Sequence, residues 1–200
     1  MTRPLVLGVA GGSGSGKTTL VELLVARAGA RVAHLPHDAY YKDLADMPDA
    51  VRAATNWDHP DALDNDLFLR HVAELTAGRG IDRPVYDFTV HARAADAVRV
   101  EPRPVVLLEG ILLFAVPAIR DAIDVRVFVD TPADLRLLRR ARRDVTERDR
   151  SIESVMDQYL STVRPMHDRF VEPGRLHAHL VVPWEERNET AVELLARFVG

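Results

Sequence analysis

Residues Gly11-Gly12-Ser13-Gly14-Ser15-Gly16-Lys17-Thr18 spell Gly-x-x-x-x-Gly-Lys-Thr, and Thr19 follows. The apolar run Leu5–Ala10 precedes them, and the pattern from Thr19 to Ala28 suits a helix. Strand, glycine-rich loop and helix in that order make a phosphate cradle. Glycines let successive backbone N–H groups turn inward toward an anion, and the helix adds its positive N-terminal end. Lys17 can reach the β- and γ-phosphates, and the Thr18 hydroxyl can ligate Mg²⁺. A flexible Gly/Ser turn would not need the Lys-Thr pair at its exit. The reading is a nucleoside triphosphate site built from residues 11–19.

Other residues could act on that triphosphate. Val105-Val106-Leu107-Leu108-Glu109-Gly110 is an apolar strand ending in a carboxylate, a position that faces Mg²⁺ or its water shell beside a phosphate loop. The segment His37-Asp38-Ala39-Tyr40-Tyr41-Lys42 follows a second strand. Asp38 there could take the proton of an acceptor hydroxyl as general base, or equally cap the next turn. Arg136, Arg139, Arg140, Arg142, Arg143, Arg148 and Arg150 crowd one stretch. Arg136 and Arg142 read as a solvated helix face. The others bracket Asp144–Glu147, read as a mobile turn whose arginines could close over a triphosphate and exclude water. Such a cluster favours transfer over hydrolysis. Asn56–Asp61 and Pro84–His91 mix aromatic and polar residues suited to a nucleobase and sugar, although core packing explains Trp57 and Phe88 equally well. His59, His71, His177 and His179 read as surface or structural, with no metal-ligand spacing.

The elements that must position these groups alternate. Strands are expected at Leu5–Ala10, Val32–Pro36, Val105–Glu109, Val125–Val129 and Leu180–Pro183, with helical patterns between most of them. That defines an α/β fold with a parallel sheet covered on both faces. Val85–Val90 and Ala97–Val100 break the alternation and predict a β-hairpin insert, about residues 81–101. Asp64 is expected to cap a helix running to Gly78. Ile152, Val155, Met156, Tyr159 and Val163 recur at helical spacing, as do Val192, Leu195 and Val199. The 200 residues suffice for one domain with a sizeable core. With 47% hydrophobic and 28% charged residues the chain is globular, and a net charge of -4 argues against general nucleic-acid binding. The absence of cysteine excludes disulfides, thiolate zinc and cysteine nucleophiles. No apolar run is long enough to span a membrane, and a strand begins almost at once, so a cytoplasmic protein without a signal peptide is expected.

With these segments in hand, the chain resembles the bacterial uridine kinase (uridine–cytidine kinase) family over nearly its whole length. The resemblance is carried by GGSGSGKTT, DAYYKD, TNWDHPDALD, PVYDFTVHAR, VVLLEGILLF, FVDTPADLRLLRRARRDVTERDRS and QYLSTVRPMH. It implies a single P-loop NTPase-type kinase domain over residues 1–200, with the hairpin insert and an Arg-rich lid at about 140–152. It implies transfer of the γ-phosphate of ATP or GTP to the 5′-hydroxyl of uridine or cytidine. Asp38 looks like the base, with Thr18, Asp38 and Glu109 around Mg²⁺. Asp58 would read the ribose hydroxyls with help from Arg140. Tyr86 and His91 would contact the base edge, and Trp57 and Phe88 would sandwich the ring. Arg150 and Gln158 would complete the nucleoside site, with Arg143 and Arg148 on the phosphates. Family members are commonly homotetramers inhibited by CTP or UTP. Two segments depart from the pattern: Glu147-Arg148-Asp149-Arg150 stands where the family has Glu-Arg-Gly-Arg, and Pro183-Trp184-Glu185 where it has Pro-Arg-Gly.

A related P-loop kinase of another small hydroxylated acceptor, phosphoribulokinase-like or pantothenate kinase-like, is the alternative. A GTP-dependent switch is disfavoured, since neither Asp-x-x-Gly nor Asn-Lys-x-Asp occurs. A degenerate regulatory fold is disfavoured by the intact Lys17, Asp38 and Glu109.

Overall fold

The structure is a computed structural model that describes residues 3–48, 52, 55–88, 90 and 92–200. Five strands form one parallel sheet: β1 (Leu5–Gly11), β2 (Val32–Pro36), β5 (Val105–Glu109), β6 (Val125–Asp130) and β7 (Leu180–Pro183), in the order β2-β5-β1-β6-β7. All five expected strands are present. Side chains alternate between two cores, one on each face. Val6, Ala10, Val106 and Leu108 enter one, and Leu7, Val9, Val105 and Leu107 the other. That two-sided burial is why these strands read as continuous apolar runs.

The helices cover the sheet. On α1 (Lys17–Ala28), Leu20, Val21 and Leu24 are fully buried, and α2 (Asn65–Thr76) buries Phe68, Val72 and Leu75 at four- and three-residue steps. Asp64 caps α2 as expected, its side chain accepting from the Leu67 N–H at 3.0 Å. After the short α3 (Pro117–Asp121) comes α4 (Ala133–Glu147), then α5 (Ile152–Gln158) and, last, α6 (Glu189–Val199). Val192, Leu195 and Val199 of α6 are buried as their spacing predicts. No helix among the described residues is long and apolar enough to cross a membrane.

Three readings need correction. The hairpin strands are longer than expected, β3 (Ile81–Asp87) against β4 (Ala92–Val100), with a register shift between Pro84 and Tyr86. Charged residues and Pro84 hid their outer halves. Asp144–Glu147 is no turn but the last turn of α4, and Asp144 is fully buried. Finally, α5 passes into π-helical turns at Tyr159–Val163 and His167–Val171. Val155 and Val163 are buried, but Ile152 and Met156, on the α-helical turns before the first π turn, are exposed.

Candidate active site

The chain leaves β1 at Gly11 and enters α1 at Lys17. Between them the loop must turn sharply. Gly14 has φ 78° and Gly16 φ 88°, left-handed values that an L side chain rarely adopts. Space forbids a side chain as well: a Cβ at Gly14 would strike the Arg136 carbonyl oxygen, and one at Gly16 the Trp184 ring. The Thr131 hydroxyl buttresses the loop, 2.9 Å from Ser15 O and 3.0 Å from Trp184 O. The result is a rigid loop ending in the free N–H groups of a helix, with Thr18 and Thr19 exposed on its first turn and Lys17 7% exposed.

Beside the loop, Thr18 Oγ1 donates to Glu109 Oε1 at 2.5 Å, and His34 Nε2 stands 3.5 Å from Glu109 Oε2. Burial raises the pKa of Glu109, but His34, Lys17 and Thr18 together bring it below its ordinary value, so it is an anion. Asp38 sits in the 3₁₀ turn His37–Tyr40 at the end of β2. Its Oδ1 is enclosed and has no hydrogen-bond partner. Burial raises its pKa, with Lys17, Arg148 and Arg143 opposing and Glu109 reinforcing. Among the described residues no cluster of three His, Cys, Asp or Glu could hold a metal alone. Two carboxylates and a hydroxyl beside a phosphate loop nonetheless fit Mg²⁺, which keeps waters and shares its shell with substrate phosphates rather than filling an all-protein cage.

Ser13, Lys17, Asp38, Trp57, Asp58, Tyr86, Phe88, Arg140, Arg143, Arg148, Arg150 and Gln158 all line one open cavity of about 1180 Å³. The structure thus brings together residues spread over most of the chain. Tyr41, which the sequence reading did not assign, stands at the centre of the aromatic wall. Its ring lies 5.6 Å from Trp57, 5.2 Å from Tyr86 and 6.1 Å from Phe88, and its hydroxyl donates to Trp57 O at 3.0 Å. The Tyr86 hydroxyl is enclosed without a partner, and burial pushes its pKa up to about 12, so it is a neutral phenol. His91 lies outside the described residues. Asp58 is 7% exposed and accepts from Thr162 Oγ1 at 3.2 Å; burial raises its pKa against the pull of Arg140. Arg140 donates to Ser13 Oγ and to Gln158 Oε1, both at 2.9 Å, and Arg150 also reaches Gln158 Oε1.

Several arginines differ from their sequence reading. Arg136 is not solvated: it packs over Gly12 and donates to Thr131 O at 3.0 Å. Arg139 turns to Trp184 O at 3.1 Å and Glu185 O at 2.5 Å. Arg93 was missed. From β4 it donates to Tyr41 O at 2.9 Å and to Tyr40 O and Asp64 Oδ2 at 3.3 Å, tying the hairpin to the segment that carries Asp38. Asp144 was missed as well. A lone acid inside an arginine run was the available signal for it.

A parallel sheet with a phosphate loop after β1, acids at the ends of β5 and β2 and an arginine-lined cavity beside them defines a P-loop kinase. Residues 6–191 match the phosphoribulokinase / uridine kinase family, and the chain belongs to that family. It is 51% identical to the uridine kinase of Chloroflexus aurantiacus over 195 residues, 97% of this chain and 93% of that protein. It is 45% identical to the uridine kinase of Anoxybacillus flavithermus over 194 residues, 96% and 92% of the two chains. Among solved structures, the D-glycerate 3-kinase of Cryptococcus neoformans superposes with a TM-score of 0.67 at 20% identity, covering 87% of this chain and 81% of that one. The phosphoribulokinase of Rhodobacter spheroides gives 0.67 at 17% identity, covering 88% and 68%. At those identities the likeness speaks for the fold alone.

Proposed function

We propose that this chain is a uridine–cytidine kinase that moves the γ-phosphate of ATP or GTP to the nucleoside 5′-hydroxyl, giving UMP or CMP. The observation that carries the reading is Asp38. Its enclosed, unpartnered carboxylate oxygen shares one cavity with Lys17 of the phosphate loop and with the aromatic wall. Relatives at 45–51% identity named as uridine kinases favour this acceptor over the sugar-phosphate or pantothenate alternative.

In this reading Asp38 accepts the hydroxyl proton, and its raised pKa makes it a better acceptor. Asp58 holds the ribose hydroxyls with help from Arg140, and Arg150 with Gln158 completes the nucleoside site. Trp57 and Phe88 sandwich the base while Tyr86 and His91 read its edge. Residues of the 140–152 lid, Arg143 and Arg148 above all, exclude water and neutralise charge on the transferring group. Thr18, Asp38 and Glu109 would hold Mg²⁺, which supplies charge neutralisation of the phosphates. A single kinase domain spans residues 1–200. The family resemblance supports a homotetramer, the net charge of -4 supports a partner list without nucleic acid, and the need for ATP supports a cytoplasmic location.

The test is phosphate transfer from ATP and GTP to the four ribonucleosides and thymidine, with products separated by chromatography. UMP and CMP should dominate. Equal transfer to purine nucleosides, or transfer only to a non-nucleoside acceptor, would overturn the assignment.

A further inference from the structure

The arginines of the cavity do not stand separately. Asp144, on the inner face of α4, is wholly buried and is met by three of them. Its Oδ2 is 3.4 Å from Arg140 Nε, an ion pair without hydrogen-bond geometry. Its Oδ1 accepts from Arg143, at 2.8 Å from the terminal nitrogen and 2.9 Å from Nε, and lies 3.6 Å from an Arg148 terminal nitrogen. All three guanidiniums line the cavity, with Asp144 enclosed behind them. A buried carboxylate among arginines is weak evidence for stability, because its desolvation offsets most of the attraction. What it does fix is direction. Each guanidinium is a planar fork, and a shared anchor sets which N–H groups remain to face a ligand.

The anchored unit spans the cavity. At one end Arg140 donates to Ser13 Oγ of the phosphate loop, 2.9 Å away. At the other, Arg148 lies over the Phe88 ring, 4.7 Å from its centroid. Between them Arg140 also holds Gln158 at 2.9 Å. A ligand that shifts the ring or Gln158 therefore acts on a group whose far end touches the phosphate loop.

We propose that Asp144 is a positioning residue that holds Arg140, Arg143 and Arg148 as one unit, and that this unit couples nucleoside binding to nucleotide binding. The inference rests on the uridine kinase reading for the identity of the two ligands. It says nothing of direct contact by Asp144 with either. Arginines already aimed also need less rearrangement as charge develops on the transferring group, so kcat depends on the anchor more than either ligand's own affinity does.

The experiment is calorimetric titration of the full chain with uridine, with and without saturating Mg²⁺–ADP, on wild type and Asp144→Asn. Wild-type uridine affinity should change by about five-fold or more when ADP is bound, a normal size for coupled sites. In Asp144→Asn the two affinities should agree within about two-fold, while each ligand's Kd alone moves little and kcat falls by ~10–100-fold. A merely structural role would lower the melting temperature and leave the coupling ratio intact. If Asp144→Asn does not fold, Arg148→Met is read instead, since it removes the link to Phe88 and must also reduce the ratio. An active wild type with no coupling, or a folded variant that keeps the wild-type ratio, overturns the role of Asp144 and leaves the activity standing. A wild type that transfers no phosphate to uridine overturns the activity, and this role with it.

Discussion

Replacing Asp38 by Asn is the sharpest test of the chemistry. The side chains are nearly isosteric, so no cavity opens and the 3₁₀ turn His37–Tyr40 keeps its shape. What disappears is the charge and the basic oxygen. That oxygen, Oδ1, is enclosed and has no hydrogen-bond partner, so no internal contact is lost with it. The nucleoside contacts expected of Asp58, Arg140 and Gln158 come from other elements and stay in place. The loss should therefore fall on the transition state. A missing general base lowers the rate by ~10²–10⁴, or about 3–5 kcal/mol of barrier. Uridine affinity should hold within a few-fold. Mg²⁺–ATP affinity should weaken by no more than a few-fold, because the amide is a poorer Mg²⁺ ligand than the carboxylate while the lost negative charge near the phosphates offsets part of that effect. The assay is steady-state kinetics with calorimetric Kd values for uridine and ATP. A kcat within about five-fold of wild type would refute the argument, since an acid–base role cannot be lost so cheaply.

Asp58→Ala should shrink the preference for uridine over deoxyuridine, which in wild type should be at least roughly ten-fold in kcat/KM, since a deoxyribose leaves this buried carboxylate about 1–3 kcal/mol short of pairing; an unchanged ratio places the ribose reader elsewhere. Arg93→Lys keeps the charge but cannot span the three acceptors at 2.9–3.3 Å. The hairpin should loosen and the uridine KM rise by about ten-fold with a smaller change in kcat, and an unaltered KM would show that the latch is dispensable. Stability should respond to His37. Burial lowers its pKa from 6.5 to about 4, while its bond to Asn65 Oδ1 at 3.0 Å resists the shift. The folded state thus binds this proton less readily than the unfolded chain. Its contribution is complete above pH 6.5 and is lost as the pH falls toward 4, by about 3 kcal/mol in all. Urea melts from pH 7 to 4.5 should show a shallower pH slope for His37→Gln, and identical slopes would exclude His37 as the titrating group.

The parallel sheet was legible because burial on both faces leaves an uninterrupted apolar signature, and the phosphate loop because its glycines answer to backbone geometry that no other residue tolerates. Glu109 and Asp38 were legible as strand-end acids. Arg93 was not. Its three acceptors are a carboxylate and two backbone carbonyls, and carbonyls carry no sequence signal. Tyr41 and His34 were hidden for a related reason, since each matters through a neighbour brought near only by the fold. Asp149 is partly readable: it stands where the family pattern has Gly, and its φ of 51° is the left-handed conformation in which Gly is unstrained and Asp costs about 1 kcal/mol.

Helix α4 shows most plainly where pattern reading stops. A helix usually announces its inner face as an apolar stripe. Here the buried members are Arg140, Ala141 and Asp144. Arg136, Arg140, Arg143 and Asp144 follow at steps of four, three and four from Arg136 and Arg140, so they share one face once the helix is known to run to Glu147. Only Arg142, on the far side, is the solvated arginine that the composition suggests. The inner face is polar because it packs against a phosphate loop rather than a core. Arg136 supports the loop's glycines, Arg140 holds Ser13, and Asp144 pairs with Arg140 and Arg143. A polar stripe at helical spacing, interrupted by one acid, is thus the sequence trace of a helix that packs on a phosphate site. The same trace misread as a turn ends the helix one turn early and conceals the residue that ties the arginines together.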